Sequence, residues 1–163
     1  MRTIPRSNMC LPMTALILAA LAIPAAAQTQ VPFKGTFQGN DTVAPPTITT
    51  SGTGRGTLLG ELSFTQVTAL NSPTTGAGSA HWVAANGDSI DSTSVVSADF
   101  STHALGYITV TEIHTITGGT GRFAGVHGSF TLTLYHDVVP RTDGTHGTCG
   151  SYSGTITPPG AAH

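Results

Sequence analysis

The sequence predicts an all-β protein that folds as a closed antiparallel β-barrel of about eight strands. After position 27, the chain contains 26 Thr, 12 Ser and 20 Gly among 136 residues. Threonine favours strands, whereas glycine and serine favour the turns between them. Apolar and polar residues alternate along most of this region, and no helical spacing recurs. Closing the sheet into a barrel would cover both its edges and its apolar face, and a two-sheet β-sandwich is the alternative.

The individual elements follow from the alternation in chain order. The predicted strands cover 33–40, 55–69, 76–85, 89–100, 105–117, 126–136 and 148–157, which makes seven or eight strands. A proline-bearing break lies at 41–46. Asn86-Gly87 predicts a tight hairpin, because both residue types accept a positive φ. Strand 105–117 alternates most clearly, with isoleucine and valine on one face and threonine on the other.

The first 27 residues have the pattern of a secretory signal peptide. Arg2 and Arg6 give a positive start, 11–23 form an apolar stretch, and Ala25-Ala26-Ala27 matches a small-residue cleavage site. The apolar stretch is too short for a good transmembrane helix. We therefore expect cleavage near Ala27, one β-barrel domain over 28–163, no membrane insertion after cleavage, and a secreted or periplasmic protein.

Charge and cysteine content exclude several functions. The predicted mature part has four basic residues against eight acidic ones, a formal net charge of −4 with neutral histidines. Without a basic excess, nucleic acid is not expected as a partner. Cys149 is the one cysteine after position 27, so no disulfide is expected within the mature chain. We interpret it as a small buried apolar residue or, alternatively, as a reactive or intermolecular thiol.

The segment 118–128, GGTGRFAGVHG, carries the most distinctive local pattern. The first three glycines allow a turn with positive φ, and the later two suit a bulge or a sharp bend. The phenylalanine would plug the end of the core. No P-loop lysine or following helix is present, which excludes a phosphate-binding loop. We assign structural turn roles to Gly118, Gly119, Gly121, Phe123, Gly125 and Gly128.

This segment resembles the glycine-rich turn and strand of the allene oxide cyclase and dirigent β-barrels, whose pattern is close to G-G-[TS]-G-x-F-x-x-[AV]-x-G. The resemblance extends to uncharacterised bacterial exported proteins, and it implies a calycin-like barrel and a homotrimer. The cyclases carry a glutamate and an asparagine on the first strand. Asn40 matches that asparagine, but Gln38 stands in place of the glutamate. An amide cannot ionise, which argues against cyclase activity.

Glu112 and His114 are the best candidates for catalytic residues. They lie two apart in one strand, so both point to its apolar face. A buried carboxylate beside an imidazole can act as an acid and a base. The alternative is a satisfied polar pair inside the barrel. His136 continues the equivalent face of the next strand.

Neither a metal nor another cofactor is expected from the sequence. The seven histidines show no ligand spacing such as H-E-x-x-H, and no G-x-S-x-G motif is present. Eight-stranded barrels fill with side chains or hold one small ligand, and many small residues point to incomplete filling.

The leading hypothesis is therefore a non-enzymatic exported barrel that binds a small apolar ligand. The predicted ligand-binding residues are Asn40, Trp82, Val110, Leu132 and His136. One alternative is a cyclase, isomerase or dirigent-like protein that acts on an apolar substrate. The other is a structural or interaction module, with the homotrimer as its implied assembly.

Overall fold

The computed structural model describes residues 29–157 and shows one closed barrel of eight antiparallel strands. The predicted signal peptide lies outside the described residues. Each strand pairs with the next, and the last pairs with the first, which confirms the barrel and excludes the two-sheet sandwich. The strands are β1 (Val31–Ala44), β2 (Thr47–Gly56), β3 (Gly60–Ser72), β4 (Thr75–Ala84), β5 (Ser89–Asp99), β6 (Tyr107–Gly119), β7 (Gly128–Asp137) and β8 (His146–Ile156).

The up-and-down order gives the barrel two distinct ends. The β1–β2, β3–β4, β5–β6 and β7–β8 connections lie at one end, which we call the open end. The β2–β3, β4–β5 and β6–β7 connections lie at the other, which we call the closed end. Within residues 29–157, no helix has the length and apolar character needed to cross a membrane.

Apolar side chains from the connections seal the closed end. Leu59 contributes from the β2–β3 turn, and Phe123 and Val126 from the β6–β7 connection, and all three are buried. Phe123 ends a short 3₁₀ turn and has no exposed surface. The predicted plug at the end of the core is therefore present.

An aromatic cluster fills the barrel above this plug. Trp82 stacks on Phe64 with ring centroids 5.0 Å apart and meets Phe130 edge-on at 5.6 Å. Tyr152 packs against Trp82 at 5.6 Å and against Phe33 at 5.0 Å. Burial raises the pKa of the Tyr152 phenol to about 12, so this side chain is neutral in the folded protein.

The glycines of β2 make room for these rings. A Cβ at Gly52 would lie 2.8 Å from the Phe64 ring, and one at Gly56 would overlap the Tyr152 hydroxyl oxygen. Such distances are far below van der Waals contact, so the inward face of β2 tolerates only hydrogen there. The strand therefore lacks the apolar alternation that marks its neighbours.

The structure corrects two predicted segments and adds most of one strand that was not predicted. The first strand continues through 41–44, so the predicted break at 41–46 shrinks to the turn at Pro45-Pro46. The segment 55–69 contains the end of β2, a turn at 57–59 and most of β3. All of β2 before Arg55 was missed. The hairpin at Asn86-Gly87 is confirmed, with Gly87 at φ 87°.

The glycine-rich segment also differs in detail from the prediction. Gly121 and Gly125 adopt positive φ in the connection, and Gly128 does so at the first residue of β7. Gly118 and Gly119 instead end β6 as strand residues without a positive φ. Their contribution to the turn was wrongly assigned, because the strand runs two residues further than its alternation shows. One of two register shifts among the described strands lies beside them, where β5 pairs with β6, and the other lies between β3 and β4.

Candidate functional site

A cavity of about 280 Å³ occupies the open end of the barrel. Its wall is mostly apolar and includes Ile48, Val96, Val110 and Leu134. It exists because the inward positions at this end hold β-branched and small side chains, whereas those nearer the closed end hold aromatic rings. The hairpins of the open end form its rim.

The floor of the cavity carries a buried carboxylate. Glu112 is 4% exposed, and its Oε2 accepts a hydrogen bond from Gln66 Nε2 at 2.7 Å. The same oxygen lies 3.0 Å from His114 Nε2. The second amide hydrogen of Gln66 is directed at Thr68 Oγ1, 3.1 Å away. Two neighbouring donors therefore fix the carboxylate in one orientation.

The hydrogen bonds continue from His114 into the aromatic cluster. His114 has no exposed surface, and its ring stacks on Phe130 with centroids 4.6 Å apart. Its Nδ1 lies 3.0 Å from Ser92 Oγ, and Trp82 Nε1 donates to that oxygen at 3.3 Å. The Glu112–His114 pair predicted from the sequence thus belongs to a hydrogen-bonded chain that continues through Ser92 to Trp82 in the core. We call this chain the relay.

One arrangement of protons in this relay leaves the imidazole neutral. An indole N–H can only donate, so Ser92 Oγ accepts from Trp82, and in this arrangement Ser92 donates its own proton to His114 Nδ1. His114 then carries its proton on Nε2 and donates it to an ionised Glu112. A neutral imidazole in this tautomer satisfies every donor in the relay.

The other oxygen of Glu112 faces the cavity. Oε1 accepts no hydrogen bond from residues 29–157, and it is not among their fully enclosed, unpaired polar atoms. Glu112 also belongs to the cavity lining. The site therefore offers one carboxylate oxygen to a bound molecule, while the other is held by the protein.

A second acidic pair lies nearer the rim. Asp41 on β1 is 4% exposed, and its Oδ2 lies 2.5 Å from His136 Nδ1 on β7. The His136 ring stacks on His146 with centroids 5.0 Å apart, and His146 Nδ1 donates to the Asp137 carbonyl at 2.7 Å. Asp41 Oδ1 is buried without a hydrogen-bond partner in the described chain.

The predicted ligand-binding residues fall into three groups. Val110 and His136 line the cavity, as Glu112 does. Trp82 and Leu132 are buried in the packed core and do not line it. Alternation indicates which face of a strand a residue occupies, but it gives no depth along the barrel axis.

Asn40, the fifth predicted ligand-binding residue, does not line this cavity. It is exposed on the outer face of β1, where its side-chain oxygen accepts a hydrogen bond from Arg141 Nη1. The neighbouring Asp41 points inward and lines the cavity instead. The first-strand match to the cyclases thus placed the polar residue one position away from the inward one, and one position in a strand reverses the face.

The sequence analysis missed Gln66, Ser92 and Asp41. Gln66 lies two residues beyond Phe64 on the inward face of β3, so the alternation itself marked it as a buried amide. Ser92 occupies an inward position of β5. Asp41 fell in the predicted break between strands and was therefore not considered as an inward residue.

Neither a metal cluster of the described residues nor the thiol of Cys149 belongs to the cavity. No group of three or more His, Cys, Asp or Glu side chains there is arranged to hold a metal ion. Cys149 is a free thiol on the outer face of β8, so its interpretation as a buried apolar residue was wrong. The exposed position fits the alternative of an accessible thiol.

Comparisons with known proteins give no match, so a functional assignment depends on the geometry of the site. The chain matches no protein-family model. Neither the curated proteins nor the solved structures give a match to it.

Proposed function

We propose that this protein binds one small, mostly apolar ligand in the cavity at the open end. The observation that supports the proposal is the cavity itself, about 280 Å³ with an apolar wall and a single oriented carboxylate on its floor. An enclosed apolar cavity of ~150 Å³ takes up benzene. The space here suits a ligand somewhat larger than one aromatic ring.

The fold supports binding because the site is preorganised. Every strand is paired on both sides, so the wall has no free edge that must order when a ligand enters. The relay below the floor fixes the Glu112 side chain before binding. Together with the signal-peptide pattern, these features favour a secreted or periplasmic carrier.

The test fills the cavity and asks whether binding is lost. Val110→Phe adds a ring to the cavity wall, and Val95→Phe is the matched control, since Val95 lies on the outer face at 68% exposure. Binding of phenethyl alcohol and related small apolar molecules would be measured by calorimetry, with Trp82 fluorescence as a second readout. We expect binding to weaken at least about ten-fold in Val110→Phe and to persist in Val95→Phe. Equal binding by both variants would place the site elsewhere.

A second candidate is an isomerase that moves a proton on an apolar substrate. The free Glu112 Oε1 could remove a proton from one carbon and return it to another, so that a double bond shifts without net oxidation. The observation that favours it is the 3.0 Å contact between Glu112 and His114 directly beneath the cavity. Glu112→Gln should then abolish turnover while leaving the fold intact, and unchanged turnover would remove this candidate.

A further inference from the structure

The polar groups of the cavity favour one sign of charge. Its lining contains the carboxylates of Asp41 and Glu112, and no lysine or arginine of the described chain belongs to it. With neutral histidines, the lining therefore carries two negative charges. Both carboxylates are at least nine-tenths buried, so water screens their charges poorly.

The hydrogen-bonding groups of the cavity also favour a positively charged ligand. Glu112 Oε1 faces the cavity and accepts no hydrogen bond from residues 29–157, and an ionised carboxylate has no proton to donate. Asp41 Oδ1, higher in the wall, has no hydrogen-bond partner in residues 29–157, but it is fully enclosed, so Asp41 contributes charge rather than a contact. A ligand that satisfies Glu112 Oε1 must bring a hydrogen-bond donor, and a positive charge would strengthen the bond.

The two carboxylates lie at different depths. Asp41 contacts His136, and His136 pairs across the sheet with Ile108 on β6. Glu112 follows Ile108 by four residues on the same strand, a separation of about 13 Å along an extended chain. Glu112 is therefore the carboxylate at the floor, and Asp41 the one near the rim. The apolar wall between them would contact the body of the ligand.

We propose that the ligand is a small apolar amine, bound as its ammonium form with the charged nitrogen on Glu112 Oε1. This assignment rests on the proposed function, because it names the chemical class of the molecule that the cavity binds. Asp41 adds to the negative potential that an entering cation meets at the rim. A carboxylate ligand is excluded by the same two charges.

Three probes with the same carbon skeleton show how the charge of the ligand affects its affinity. Phenethylamine, phenethyl alcohol and phenylacetate share a phenyl ring and a two-carbon chain, and they differ in the terminal group alone. Calorimetry at neutral pH and low salt would measure their affinities for the protein purified after expression of the full chain. We expect the amine to bind at least about ten-fold more tightly than the alcohol, since a hydrogen bond to a charged group is the stronger kind. The acid should not bind.

The variants assign that preference to the floor carboxylate. Glu112→Gln keeps the shape of the side chain and removes its charge, so the amine and the alcohol should then bind about equally. Glu61→Gln makes the same change at an exposed residue that pairs with Arg55 outside the cavity, and it should keep the full preference. Thermal unfolding of each variant would show that the fold is retained. Should Glu112→Gln unfold, Asp41→Asn should still reduce the preference for the amine.

The outcomes distinguish the two levels of the proposal. If the alcohol binds as tightly as the amine to the unaltered protein, the amine assignment is wrong and the small-ligand cavity stands. Retention of the preference in a folded Glu112→Gln also overturns the assignment. If no probe binds, both the amine assignment and the proposed function fail.

Discussion

Replacing Tyr152 by phenylalanine should stabilise the protein. The Tyr152 side chain is 1% exposed, and its hydroxyl is buried without a hydrogen-bond partner in the described chain. The hydroxyl lies against the backbone of Gly35 and Gly56, where the absence of a Cβ leaves space for it. A buried unpaired polar group costs about 1–3 kcal/mol, so its removal should gain about 1 kcal/mol after the lost packing contacts are counted.

The gain should increase at alkaline pH. Burial raises the pKa of the Tyr152 phenol from 10.0 to about 12, so above its ordinary pKa the unfolded chain loses this proton before the folded protein does. Where the folded state binds more protons, stability falls as the pH rises. At a pH of about 11 this difference costs the unaltered protein about 1.4 kcal/mol, and Tyr152→Phe avoids that cost.

Urea unfolding at a series of pH values from neutral to about 11 would measure both effects. At neutral pH, a gain of about 1 kcal/mol corresponds to a rise of about 3–5 °C in the melting temperature. Tyr135→Phe is the matched control, because this half-exposed tyrosine lies on the outer face of β7. A destabilised Tyr152→Phe at neutral pH would mean that the hydroxyl makes a hydrogen bond in the folded protein. A pH-independent difference would refute the burial of the phenol.

Two further pairs of variants test the relay and the glycine face. Ser92→Ala should destabilise the protein by about 1–3 kcal/mol and shift Trp82 fluorescence, because it leaves the indole and His114 without their shared partner. Ser94→Ala should be neutral or stabilising in the same urea titration, since its buried hydroxyl has no partner in the described chain. Gly56→Ala should cost about 1–3 kcal/mol or more, because its Cβ would overlap Tyr152, and combining it with Tyr152→Phe should recover part of the loss. Gly118→Ala has open space at its Cβ and should leave the melting temperature nearly unchanged.

Alternation predicted the barrel because most of its strands bury one face of apolar residues. β6 and β7 show this best, and the faces assigned to Glu112, Val110 and Leu132 are the inward ones. β2 could not be predicted in this way. Its inward positions near the closed end are glycines, and what they contact is set by Phe64 and Tyr152 on other strands. Local sequence carries no signal for such a long-range fit.

Only part of the candidate site was predicted, because the sequence shows which residues share a face of one strand but not which residues of other strands lie nearby. The sequence identified the Glu112–His114 pair because spacing of two residues is enough to share a face. Gln66 and Ser92 join that pair only through the curvature that brings β3 and β5 into its reach. Alternation also does not show how deep a residue lies along the barrel axis. Trp82 was therefore predicted to contact the ligand, whereas it packs beneath the cavity floor.

The uneven filling of the barrel argues that the cavity has a role in function. Large rings occupy the interior near the closed end, whereas Thr50, Thr68 and Ala98 leave space near the open end. A single larger side chain, as in Val110→Phe, would fill much of that space and add apolar contacts. The chain instead keeps the space and buries Glu112 at its base, where an ionised carboxylate costs free energy unless it is paired. A cavity and a buried charge each lower stability, and the two together are the features that a ligand with an apolar body and a charged donor would compensate.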